Sequence, residues 1–236
     1  MSWEKIVNKS QTLCGVVALA CVAGAPLGAN ADLIGSRITL EGLLGDAGTF
    51  DDFEAYDIGD DAANVLFDPA GEIVNLLTST SIANGQGPGL VKDGAVYTTT
   101  PGVAMQWCGN AWFGMDSKTI GGNSGGGYTA IEYTELVTAM GVDVQVFSGY
   151  GGAHQARVYD LSNNLVGVHD FSVTGGRYFF GWEYAAGIGR VEIDFLAYSW
   201  GAFIDDHQFG VAVPAPAALS MFGLAGLLGT RRRRVA

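Results

Sequence analysis

The sequence predicts an all-β protein: a single antiparallel β-sandwich or jelly-roll domain over residues 32–212, flanked by an N-terminal signal helix and a C-terminal single-pass hydrophobic helix. Three observations lead there. In the second half of the chain apolar residues recur with period two: Val142, Val144 and Val146 alternate with Asp143, Gln145 and Phe147, the pattern of a strand with one apolar face. Glycine is abundant, 36 of 236 residues, and falls between such segments as turn punctuation. A long apolar helical pattern occurs only at the two ends.

The chain opens on Lys5 and Lys9, continues through an apolar run from Leu13 to Ala25, and reaches Ala29-Asn30-Ala31, a small-residue pattern of the kind signal peptidase cuts. Residues 1–31 are therefore expected to be a signal peptide, with cleavage set by Ala29 and Ala31 and a mature chain from Asp32. Ala18-Leu19-Ala20-Cys21 offers a second reading, a lipoprotein site acylating Cys21, although the usual leucine three residues before the cysteine is absent. In the first half of the domain, Ile38 to Leu44, Val65 to Phe67, Ile73 to Leu77 and Ala95 to Thr100 are predicted as short strands, with glycine-rich loops at 84–89 and 121–127. The second half is more regular. Ala156 to Leu161 and Leu165 to Phe171 flank Ser162-Asn163-Asn164, whose asparagines tolerate positive φ, so the pair reads as a hairpin. Gly175-Gly176 separates it from Arg177 to Tyr184. Arg190 to Tyr198 follows, with Val191, Ile193 and Phe195 on one face, and Phe203 to Phe209 closes the domain.

Charge and cysteine content narrow the partners. Residues 32–212 carry six Lys or Arg against 23 Asp or Glu, a formal charge of −17, which disfavours nucleic acid and anionic membrane surfaces. An acidic exported surface also stays soluble with no ligand at all. Cys14 and Cys21 leave with the signal peptide, so Cys108 stands alone and no intramolecular disulfide forms; beside Trp107 it reads as a small buried hydrophobe.

Stretches that invite an enzymatic reading each lack a required part. Gly122-Asn123-Ser124-Gly125-Gly126 is similar to the nucleophile loop of chymotrypsin-like proteases, but His154, His169 and His207 all follow Ser124, the reverse of that family's order. Glu192-Ile193-Asp194-Phe195-Leu196-Ala197 resembles the catalytic strand of laminarinase-like glycoside hydrolases, with Ala197 where the acid/base glutamate stands. A retaining glycosidase needs two carboxyls about 5.5 Å apart, so this strand does not supply the pair by itself. Glu132 and Glu135, three apart on a strand, face opposite sides. No catalytic residue is assigned.

Binding residues have more support. Asp52 and Glu54 near the start of the domain and Asp205 and Asp206 near its close resemble the terminal strands of carbohydrate-binding jelly rolls, and the resemblance implies a structural calcium held by carboxylates of two strands. Aromatic residues supply candidate glycan contacts: Trp107 and Trp112, with Phe113 beside them, and Trp182 and Tyr184, which share a strand face with Tyr178. The competing reading is that these rings fill the core.

The tail carries the most specific pattern. Val213-Pro214-Ala215-Pro216, an apolar run from Ala217 to Gly229, and Arg231, Arg232, Arg233 and Arg234 stand in that order at the C-terminus. This resembles the PEP-CTERM sorting signal of bacterial exported proteins, with Ala215 where the family has glutamate. The resemblance implies export, transient inner-membrane insertion, cutting by an exosortase-like peptidase, and delivery to the cell surface or exopolysaccharide matrix. The 13-residue run makes roughly 20 Å of helix, short of the ~30 Å hydrocarbon layer, so the segment suits a temporary anchor. An ordinary short anchor is the alternative. Together these features predict a non-enzymatic exported domain with structural, adhesive or glycan-binding work; the alternative is an extracellular carbohydrate-active hydrolase with scattered carboxylates. Expected partners are the export machinery, the sorting peptidase and extracellular polysaccharide, and not nucleic acid.

Overall fold

The structure, a computed structural model, describes residues 30–123, 127–196 and 203–213. The predicted signal peptide apart from Asn30 and Ala31, and the sorting tail apart from Val213, lie outside the described residues, as do both predicted terminal helices. Among the described residues no helix is long and apolar enough to cross a membrane.

Antiparallel strand dominates. The elements are β1 (Asp32–Ile34), α1 (Arg37–Leu44), β2 (Thr49–Asp51), β3 (Ala63–Val65), β4 (Leu76–Leu77), β5 (Ala95–Thr99), β6 (Met105–Cys108), β7 (Thr119–Gly122), β8 (Tyr128–Asp160), β9 (Leu165–Phe195) and β10 (Phe203–Gly210), with a 3-10 turn at Trp112–Gly114. The predicted hairpin is present: Val158 pairs with Gly167 and Tyr159 with Leu165, and Asn163 turns the chain at φ 62°. Leu165 to Phe171, Arg177 to Tyr184 and the start of the next segment belong to one long strand, β9, because Gly175 and Gly176, at φ 71° and 74°, and Gly187, at φ 102°, bend it without ending it.

One predicted strand is a helix. Ile38 to Leu44 lies in α1, whose first turn is capped by Ser36 Oγ accepting from the Thr39 amide at 3.2 Å, and which stops at Gly45, φ 55°. Leu40 and Leu44, one turn apart, are its buried residues. The other predicted strands of the first half shorten: Ile73 makes only an isolated bridge to Phe67, and pairing resumes at Leu76.

The long strands β8 and β9 pair along their length and bend, so the network doubles back as two ladders. Residues 188–195 of β9 pair on one side with 128–137 of β8 and on the other with 154–160. That ladder continues through β5 to β4. Residues 176–183 of β9 pair with 139–146 of β8, and this second ladder runs outward through β10, β7, β6 and β3, with β1 on the opposite edge. A single buried cluster joins Val142, Val144 and Val146 of the second ladder to Ala156, Val158, Val191 and Ile193 of the first. Each such side chain buried is worth about 1.5–3 kcal/mol for the larger aliphatics, and this cluster is what holds the ladders together.

The opposite face of the second ladder is covered at two places. At one, α1 packs Leu40 and Leu44 against Ile34 and Ala139; at the other, the Trp112–Gly114 turn region packs over Cys108, Met115, Phe147 and Phe203. Gly141 admits the helix, since a Cβ there would lie 2.6 Å from Leu40 Cδ2 and 2.7 Å from Phe179 Cζ. Cys108 is free and buried, and burial pushes its thiol pKa well up, as befits a packing residue.

Candidate functional site

Strand alternation creates a polar patch between those two covers. With Val142, Val144 and Val146 turned to the core, Asp143 and Gln145 face outward; on the neighbouring β10, Ile204 turns inward, Asp205 outward. A bulge follows. Asp205 pairs with Asp143 and Gln208 with Gly141, leaving one extra residue, and Asp206 takes it up at φ 45°. The bulge resets the alternation, so Asp205 stays outside and His207 goes in.

Arg177 is the centre of the outer patch. Its guanidinium lies 2.7 Å from Asp116, 2.9 Å from Asp205, 2.6 Å from Asp206 and 3.3 Å from Asp143. Arg37 of α1 reaches Asp143 at 3.0 Å and the Asp206 carbonyl at 3.0 Å, and its guanidinium stacks over Phe179. Gln145 donates to Asp205 at 3.0 Å and to Ser117 Oγ at 2.7 Å, and Ser117 donates in turn to Asp205. Burial, with the Asp206 charge added, pushes the Asp205 carboxyl up to about 7 against the opposing pull of Ser117 and Arg177.

An aromatic group borders this patch. The Asp116 amide donates to Gln145 at 3.4 Å, and Phe147, two residues along the same strand face, meets Trp112 edge-on at 4.7 Å between centroids. Phe113 packs edge-on against Trp112 at 4.9 Å, remains 58% exposed, and holds a left-handed backbone at φ 49°. A bulky residue in that conformation carries strain of about 1–3 kcal/mol, and such residues gather at ligand-binding positions. Exposed Phe113, with half-buried Trp112 set at 82° to it, thus forms an aromatic shelf beside a carboxylate and guanidinium cluster.

A second polar group is sealed inside. Asp51 accepts from the Lys92 amide at 2.8 Å and from the Tyr97 hydroxyl at 3.0 Å; Tyr97 contacts His207 Nδ1 at 2.8 Å, and Tyr133 contacts Nε2 at 3.0 Å. Because Tyr97 gives its proton to Asp51, its oxygen receives one from Nδ1–H, and Nε2 accepts from Tyr133. Burial, with the Arg37 charge, pushes His207 down to about 3, so it stays neutral. Each of these groups is hydrogen-bonded and His207 is 0% exposed, so this chain of bonds is structural.

The sequence-predicted contacts divide. Trp107 is 0% exposed, stacks on Tyr56 at 4.9 Å and donates to the Phe53 carbonyl at 3.1 Å; Trp182 is 1% exposed against Phe180. Both are core residues and present no ring to a ligand, and Tyr184 also packs on the core. Trp112 keeps its candidacy. The calcium set is not assembled: among the described residues no three His, Cys, Asp or Glu side chains are placed to hold a metal ion. Asp52 caps the Glu54 amide at 3.2 Å, Glu54 pairs with Lys118 at 3.3 Å, and Arg177 takes the place beside Asp205 and Asp206 that the cation was to have. These residues do not fit calcium. Arg177, Arg37, Asp116 and Asp143 escaped sequence reasoning; their only signal was that arginine is so scarce in an acidic domain.

The Glu192 strand is likewise engaged. Glu192 accepts from Arg157 at 3.1 Å and Tyr159 at 2.7 Å and pairs with Arg190, while Asp194 pairs with Arg157 at 3.3 Å.

No family model and no curated protein matches the sequence. Among solved structures the chain is similar to the K2 cleaved adhesin domain of Lys-gingipain, with 14% identity over 71% of this chain and 99% of that one, at a TM-score of 0.32. It is also similar to the enzymatically active domain of bacteriophage CBA120 tailspike protein 4, with 10% identity over 73% of this chain and 21% of that one, at a TM-score of 0.20. Overlaps this loose carry no argument about fold or activity.

Proposed function

We propose that the chain is an exported, non-catalytic, sandwich or jelly-roll domain that binds polysaccharide at the cell surface or in the extracellular matrix, and that its tail is a sorting signal removed after export. One observation carries the binding reading: Phe113, an aromatic residue exposed on a strained left-handed backbone, lies with Trp112 at the rim of a polar, charged patch. Flat rings bury the apolar face of a pyranose, and neighbouring carboxylates and guanidinium groups accept and donate hydrogen bonds to its hydroxyls. The non-catalytic reading draws support from the engagement of Glu192 and Asp194 by arginines, which leaves no free carboxyl pair for glycoside hydrolysis on that strand.

The processing reading draws support from Val213, the first residue of the proline motif, whose amide donates to the Leu43 carbonyl at 2.7 Å, so the described fold reaches as far as that motif. Affinity electrophoresis through gels cast with neutral, amino and acidic polysaccharides tests the binding reading. At least one polymer is expected to retard the wild type and not Trp112→Ala; equal mobility in every gel would refute it.

A further inference from the structure

The charge around the aromatic shelf selects among polysaccharides; this inference rests on the reading that Trp112 and Phe113 bind sugar. Carboxylates crowd the shelf. The Asp116 side chain is 61% exposed, and Asp206 stands beside it across Arg177. Asp60 and Asp61, both exposed, are carried alongside because the Ala111 amide donates to the Asp60 carbonyl at 2.7 Å and the Gly109 amide to the Ala62 carbonyl at 2.7 Å. Asp143 and Asp205 lie beneath.

Both arginines are already engaged by groups of the fold. Arg177 already meets four carboxylates, and Arg37 is held by Asp143, by the Asp206 carbonyl and by the faces of Phe179 and Phe50. Six carboxylates against two guanidinium groups leave the shelf with surplus negative charge, and that surplus persists with Asp205 protonated. A uronic-acid or sulfated polymer meets like charge here, and a neutral one brings no cation to offset the surplus. A polymer of 2-amino sugars bearing free ammonium groups supplies both a ring face for the shelf and a cation for the rim.

We propose that this face binds a cationic polysaccharide of unacetylated amino sugars, with a pyranose ring on Phe113 against the edge of Trp112 and ammonium groups paired with Asp116, Asp206 and the Asp60-Asp61 loop. Because the rim pairs are exposed, binding weakens as salt is raised.

Calorimetric titration of the purified protein with glucosamine oligomers, their N-acetylated counterparts and oligogalacturonate, at mildly acidic pH, tests this. Glucosamine oligomers are expected to bind about tenfold or more tighter than the N-acetylated series, and oligogalacturonate not at all. Phe113→Gly, which deletes the ring while suiting the left-handed backbone, is expected to abolish binding with an unchanged circular dichroism spectrum. Asp116→Asn is expected to weaken binding severalfold. If acetylated or acidic oligomers bind as tightly and Phe113→Gly still abolishes it, the shelf binds sugar but the cationic selectivity is wrong. Glucosamine binding that Phe113→Gly leaves intact reduces the effect to bulk charge and overturns the site. Absence of binding by every oligomer defeats both the selectivity and the sugar-binding reading.

Discussion

Asp205 links the outer patch to pH. Its carboxyl is raised from 3.8 to about 7, so the folded state holds the proton more tightly than the unfolded chain does. A raised acid stabilises the fold at low pH, and that contribution is lost as pH rises from about 4 to about 7, on the order of a few kcal/mol across the window. His207 works in the opposite sense: lowered from 6.5 to about 3, it costs stability as pH falls through that range. The Asp205 contribution is therefore read by difference. Asp205→Asn keeps an oxygen to accept from Gln145 and Ser117, and chemical denaturation of both proteins is expected to show the wild type losing stability relative to the variant as pH rises from 4 to 7. Parallel curves would show that Asp205 is not perturbed. Sequence reasoning reached Asp205 and Asp206 but not their partner. Arg177 lies 28 positions upstream of Asp205, and only the register of β8, β9 and β10 brings them together.

Among the elements, those with a local signature were legible. Val142, Val144 and Val146 announce both a strand and its buried face, and Ser162-Asn163-Asn164 announces its turn. Helix α1 lies where the sequence predicts a strand because a short segment with spaced apolar residues satisfies either period; the Ser36 cap and the one-turn spacing of Leu40 and Leu44 decide it. Strands β6 and β7 gave no alternation to read, since all four residues of each are buried, being covered on both faces. The end of β6 also fixes the 59–60 loop. A Cβ at Gly109 would lie 2.1 Å from the Gly59 carbonyl and 2.6 Å from the Asp60 carbonyl, both backbone atoms that do not yield easily. Gly109→Ala is expected to destabilise the protein by about 1–3 kcal/mol or more in urea denaturation, by displacing the 59–60 loop from the aromatic turn. An unchanged midpoint would mean that the loop is not fixed there.

At the scale of the whole molecule, the antiparallel all-β character was legible from period and punctuation, whereas the doubling back of β8 and β9 was not. Gly175 and Gly176 look like an interruption in one dimension and turn out to be a bend that carries the strand from one ladder to the other. The domain's ends are fastened to the fold: the Ala31 amide donates to the Val166 carbonyl at 2.9 Å, and Val213 is tied to α1. Cutting before Asp32 gives up the first of these bonds but leaves the pairing of β1 with β9. On the proposed route of export and cleavage, intact-mass measurement of the mature protein is expected to find a chain from Asp32 to about Val213. A mass that includes an acylated Cys21, or that retains Arg231 to Arg234, would contradict this route. The binding claim stands most directly on Phe113. At φ 49° glycine is relieved of a strain of about 1 kcal/mol that phenylalanine bears, which offsets the lost ring contacts. Polysaccharide titration alongside thermal melting of wild type and Phe113→Gly is expected to show binding lost with the melting temperature held; binding retained by the variant would contradict the aromatic shelf as the ligand site.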